Sequence, residues 1–124
     1  MKYTVDKQDQ HTTFMVNEEN LNTLIAPDLK SEFYMLHDAG VQNIILDISD
    51  VKYVDSSGLS AILTGHRIWK SVGTFVVTGV KSDSVKKLIE ISRLESVLNI
   101  VPTLSESIDY VKLEQLERDM KAEK

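Results

Sequence analysis

Apolar and polar positions alternate along this chain first with a period of two and then with a period of three to four. Tyr3 and Val5, then Thr12, Phe14 and Val16, are flanked by polar neighbours, as in half-buried strands. Between them Gln8-Asp9-Gln10 predicts a hairpin turn, without the glycine of the strongest turn signals. Leu21, Ile25, Leu29, Phe33 and Leu36 then recur at helical spacing. Thr23 is a candidate cap for that helix, Pro27 falls in or beside its first turn, and Gly40 is placed to end it.

The pattern changes again at Ile44-Ile45-Leu46 with Ile48, a short unbroken apolar run that predicts a strand covered on both faces. A second helix carries Leu59, Ile62, Leu63, Trp69 and Val72 on one stripe, with Gly73 as its stop. Phe75-Val76-Val77 predicts another buried strand, Val85, Leu88 and Ile89 a short third helix, and Leu98-Asn99-Ile100-Val101 a last strand. From Leu104 to about Met120, Ile108, Val111 and Leu116 among many charges predict a closing helix, fraying into Lys121-Ala122-Glu123-Lys124. The order ββαβαβαβα implies an α/β domain with a mixed sheet of four to five strands, an antiparallel pair at its start and helical crossovers after it.

Composition narrows the function classes. A chain of 124 residues fits one domain, and 42% hydrophobic with 27% charged residues is ordinary globular usage. With 14 Lys and Arg against 19 Asp and Glu, the net charge of −5 offers no electrostatic case for nucleic acid. The absence of cysteine removes disulfides, thiolate metal sites and cysteine nucleophiles together. The start, Met1 to Lys7, has no signal-peptide core, and apolar runs stay far below the roughly 20 residues of a membrane span. The expected location is the cytoplasm, without membrane attachment.

One segment carries chemistry. Asp55-Ser56-Ser57-Gly58-Leu59 lies where a buried strand gives way to a helix, so its serines meet unpartnered backbone N–H groups and the positive end of the helix dipole. Two readings stand side by side. Asp and Ser are the commonest helix caps, and a phosphate on Ser56 would be favoured by the same N–H groups. Gly58, Ala61 and Gly65 form a small-residue stripe that suits either a partner's backbone or the protein's own sheet. Trp69 likewise suits a core anchor or a partner contact.

The stretch from Asn43 to Ile108, with Asp55-Ser56-Ser57-Gly58-Leu59, Val85-Lys86-Lys87-Leu88 and the closing Glu106-Ser107-Ile108, resembles the STAS family, the domain of sulfate transporters and bacterial anti-sigma factor antagonists. The resemblance runs over roughly residues 3 to 112 and implies a STAS domain over 1–112, with a charged helical tail over 113–124. It also implies an antagonist that binds an anti-sigma factor serine kinase when unphosphorylated. Phosphorylation of Ser56 would release it, and a PP2C-type phosphatase would reset it. Asp55, Ser57, Gly58 and Leu59 take the rest of the motif as partner contacts. Asn22 joins them, because Glu19-Asn20-Leu21-Asn22 stands where antagonists often have a Gly-Glu-Leu-Asp-like loop near the acceptor. The alternative within the family is a scaffold or regulatory subunit of a signalling complex or transporter, without a switching role.

An enzyme is not expected. No Gly-x-Ser-x-Gly elbow surrounds Ser56, and none of His11, His37 or His66 is placed to serve as its base. A phosphoaspartate receiver needs an acidic cluster by its first strand, where only Asp6 stands. Asp47 and Asp50 lack the companions of a metal site, so neither metal nor cofactor is expected.

Overall fold

The computed structural model describes residues 1–123; Lys124, the last residue of the expected tail, lies outside them. In chain order the elements are β1 Tyr3–Lys7, β2 Thr12–Val16, β3 Asn20–Leu21, α1 Ala26–Asp38, β4 Asn43–Asp47, β5 Tyr53–Val54, α2 Ser56–Trp69, β6 Thr74–Thr78, α3 Asp83–Ile91, a 3-10 turn at Leu94–Ser96, β7 Asn99–Val101 and α4 Leu104–Ala122. A five-stranded sheet runs β1-β2-β4-β6-β7, and β3 and β5 form a separate two-stranded ribbon. β1 and β2 are antiparallel, with Tyr3 opposite Val16 and Lys7 opposite Thr12. Each later pairing is parallel, Thr12 beside Ile44, Asn43 beside Thr74 and Val76 beside Asn99. The mixed sheet with its antiparallel start is the architecture that the alternation of strands and helices predicts.

Three layers follow from which residues each strand turns to which side. Phe14, Ile44, Leu46, Phe75 and Val77 face α1 and α2, where they bury Leu29, Phe33, Ala61, Ile62 and Trp69. Ile45 and Val76 point the other way and are covered by Val111 of α4, with Ile108 and Tyr110 packed alongside. β4 and β6 are buried at every position because both lie inside the sheet under helices on both faces. Of the two strands expected to be half-buried, β2 is buried at all but Met15, because it sits between β1 and β4. β1 is the exposed edge, held by Tyr3 stacked on Phe14 at 4.9 Å. Phe33 is the hub of the larger core, with ring centroids 5.7 Å from both Trp69 and Phe75 in edge-to-face contact. Trp69 is fully buried and donates Nε1–H to the Val41 carbonyl at 2.9 Å, which makes it a core anchor.

Three local expectations are corrected. Leu21 belongs to β3, not to the first helix, and α1 starts at Ala26 after an Ile25 cap that makes no side-chain hydrogen bond. Thr23 is therefore not the cap; its N–H and hydroxyl are drawn to Asp55, 32 residues away. α2 ends at Trp69, ahead of Gly73, so Val72 lies beyond its last turn. Pro27 does stand in the first turn of α1, where no N–H is needed. Gly40, at φ +89°, closes that helix: its N–H reaches the His37 carbonyl and the Val41 N–H reaches that of Leu36.

α4 continues without a break from Leu104 to Ala122. Its second half is tied to the sheet by a polar cluster around Asn43, a side chain left only 4% exposed. Asn43 donates to the Gln115 side chain at 3.0 Å, and the Arg118 guanidinium donates to Asn43 Oδ1 at 2.7 Å and Thr74 Oγ1 at 2.8 Å. Among the described residues no helix is long and apolar enough to cross a membrane.

Candidate functional site

From the end of β4 the chain passes through Ile48 and Val51, both buried, into the two residues of β5. Pairing of Asn20 with Tyr53 and Leu21 with Val54 brings the segment after β2 alongside the entry to α2. The Asp55 N–H donates to the Leu21 carbonyl at 3.2 Å and extends this junction by one residue.

Asp55 is the N-cap of α2. Its Oδ1 accepts the Gly58 N–H at 2.9 Å, and its Oδ2 accepts the Thr23 N–H at 3.3 Å and lies 3.4 Å from the Thr23 hydroxyl. The Gly58 N–H, above all, holds the Asp55 carboxyl below the usual carboxylate range; burial opposes it, and the Thr23 and Ser57 N–H groups, each a weaker influence than burial, lower it further. A depressed folded value means that the ionised cap stabilises the fold above the ordinary carboxylate range. That contribution is lost as pH falls through the folded value.

The capping reading of the motif thus holds for Asp55, and it leaves Ser56 free. Ser56 is the first helical residue and is exposed. Ser57, half-buried, places its Oγ 3.1 Å from the Thr23 hydroxyl. Gly58 is buried, and a Cβ there would overlap the Leu21 carbonyl and stand 2.9 Å from Leu21 Cγ. The close backbone approach expected at Gly58 is therefore made by this chain itself, so Gly58 is not an open contact surface. The rest of the stripe agrees: Ala61 is fully buried, and a Cβ on Gly65 would stand 2.8 Å from the Phe33 ring. Leu59 is half-buried against the core.

Asn22 is engaged in a turn of its own. Its Oδ1 accepts the Leu24 N–H at 3.1 Å, and its carbonyl accepts the N–H groups of Ile25 and Ala26. This turn carries Leu24, the residue after the cleft-lining Thr23, outward until it is 85% exposed, a position that periodicity missed. Its signal lay in Asn22, since an Asn two residues upstream commonly bends the backbone in this way. A cleft of about 270 Å3 opens between α1 and α2, lined by Thr23, Pro27, Lys30, Ser56, Ser57 and Ser60.

The arrangement offers an exposed hydroxyl at the positive end of a 14-residue helix, beside an ionised carboxylate already committed to its own hydrogen bonds. An anion built on Ser56 would sit where the helix dipole favours it. Among the described residues no group of three or more His, Cys, Asp or Glu stands close enough to hold a metal ion.

Comparison with known proteins bears on this geometry. A family model described as the STAS domain matches residues 2–107. A Thermotoga neapolitana protein, named as a candidate anti-sigma factor antagonist, is 30% identical over 73 residues, which is 59% of this chain and 65% of that relative. The match thus spans just under two thirds of the relative's length. The crystal structure of a candidate anti-sigma factor antagonist from Thermotoga maritima superposes with a TM-score of 0.81 at 26% identity, over 89% of this chain and 94% of that one. The Bacillus cell fate determinant SpoIIAA in its phosphorylated form superposes with a TM-score of 0.67 at 18% identity, over 89% and 99% of the two chains, a likeness of fold alone. With the model match covering most of the chain and these neighbours sharing its layers, the protein belongs to the STAS domain family.

Proposed function

We propose that this protein is an anti-sigma factor antagonist that works by partner switching in the cytoplasm, with Ser56 as its phosphate acceptor. The observation that carries the reading is the exposed Ser56 hydroxyl at the first position of α2, left free by the cap that Asp55 provides. Thermotoga relatives named as candidate antagonists and a like-folded protein solved in phosphorylated form support it. In this cycle the unphosphorylated protein binds an anti-sigma factor that is also a kinase and so frees a sigma factor. Ser56 Oγ then attacks the γ-phosphorus of the kinase's ATP. The bond to the β–γ bridging oxygen breaks, ADP leaves and the hydroxyl proton is lost. A PP2C-type phosphatase resets the serine by adding water across the P–O bond and releasing inorganic phosphate.

The new group brings about −1.5 to −2 charges to a spot one residue from Asp55. Partner contacts centred there are therefore repelled or stripped of water at a cost, and the complex opens. Intact-mass measurement after incubation with the cognate kinase and ATP tests the site. Wild type gains one phosphoryl group and Ser56→Ala gains none; no gain in wild type, or an undiminished gain in the variant, overturns the assignment.

Around the acceptor, the contact surface consists of Ser57, Leu59 where it is exposed, the Asn22 turn and above all Leu24. An exposed leucine directly after Thr23, whose hydroxyl meets that of Ser57, is suited to fill a partner pocket, and burying it is worth about 1.5–3 kcal/mol. Leu24→Ala is expected to weaken kinase binding by roughly tenfold. Its Tm should stay within a degree or two of wild type, because the side chain is 85% exposed. Titration calorimetry decides, and an unchanged Kd removes Leu24 from the interface.

A further inference from the structure

We propose that Lys30 is the counter-charge that receives a phosphate on Ser56, drawing α1 onto the first turn of α2 in the phosphorylated protein. The proposal rests on Ser56 being the acceptor. Lys30 stands on α1 one turn beyond Ala26 and Pro27, and these three line the same cleft as Ser56, Ser57 and Ser60. It is the one charged side chain among the residues lining that cleft. It is half-buried, and among the described residues it forms no ion pair. The nearby carboxylates are already engaged: Asp55 by Gly58 and Thr23, and Asp28 by the amino terminus at 3.6 Å. A dianion on Ser56 would therefore meet an uncommitted ammonium on one side and the positive end of the α2 dipole on the other.

Phosphorylation then does more than add negative charge. It takes Lys30 out of reach of a partner and bridges the open cleft between two helices already packed together through Phe33 against Trp69 and Gly65. The unphosphorylated protein shows a cation beside the acceptor, and the phosphorylated one shows a partly neutralised phosphate.

The test uses the full-length protein with phosphoserine introduced at position 56 during translation, followed by phosphorus NMR against pH at about 0.15 M salt. The second ionisation of the phosphate is expected below its ordinary value of about 6. Lys30→Gln should raise it by about half a unit, an exposed-pair effect. Lys30→Arg should leave it where wild type has it, and Lys87→Gln on α3 serves as a charge-matched control without effect. A midpoint in Lys30→Gln that stays with wild type, or that moves as far in the Lys87 control, overturns the proposal. Because no kinase takes part, this result stands apart from the intact-mass experiment: that one tests the acceptor, this one the residue that reads it.

Discussion

Ser56→Ala is expected to bind the partner kinase at the full strength of the unphosphorylated protein, and Ser56→Asp to bind it roughly ten- to a hundredfold more weakly. Ser56 lies on the surface at the first helical position, so removing its hydroxyl breaks no hydrogen bond among the described residues and leaves the Asp55 cap intact. A carboxylate in its place supplies one negative charge, against about −1.5 to −2 for phosphoserine, so the aspartate variant reproduces only part of the phosphorylated state. The same charge stands at the helix N-terminus, where the dipole favours it by about 0.3–1 kcal/mol, so folding is not weakened. Binding and stability therefore part company in this variant: affinity falls while Tm holds or rises. Calorimetry with both variants, alongside thermal melts, reads the two quantities. Equal affinity in the two variants would sink the switch.

The second large effect is on the fold that holds the site. Gly58→Ala is expected to destabilise the protein by about 1–3 kcal/mol, the usual range for an overpacked position. The new methyl would overlap the Leu21 carbonyl and lie 2.8 Å from its carbon, and a backbone group cannot rotate away as a side-chain tip can. Relief requires β3 to shift, which pulls on the Asn20–Tyr53 and Leu21–Val54 pairing and on the 3.2 Å bond from Asp55 to Leu21. Ala is the better helix former by up to about 1 kcal/mol, which offsets part of the loss. A Tm lower by roughly 5–12 °C follows for a domain of this size. A Tm at or above that of wild type would show that helix propensity wins and that the junction is slack. Phosphorylation of Ser56 should suffer too, because the acceptor sits on the turn that has to move.

Much of the architecture is legible in residue order because burial on both faces leaves a plain mark. Ile44-Ile45-Leu46 and Phe75-Val76-Val77 are continuous apolar runs, and these are the central strands β4 and β6. The Leu29, Phe33 and Leu36 spacing gives the buried stripe of α1, and Gly40 ends the helix with the positive φ that its type permits. The ribbon of β3 and β5 left no such mark, since strands of two residues have no period to display. Thr23 reads as a cap on local grounds and becomes a ligand of Asp55 only because that ribbon brings the two together.

The sequence alone determined that this is an α/β chain with an antiparallel start, and that an Asp-Ser-Ser-Gly turn opens its second helix. Periodicity and capping act within a few residues, so they can be read there. Only the tertiary structure decided what each part of that turn does. Asp55 is consumed by the cap, Gly58 by Leu21, and the Gly58-Ala61-Gly65 stripe by the protein's own core, while the Ser56 hydroxyl is left exposed on the cleft that Lys30 also lines. The same holds for Arg118, whose hold on Asn43 spans 75 residues. Which surface a small residue serves, and which cation stands beside a serine, depends on contacts between segments far apart in the chain, and no local pattern records those.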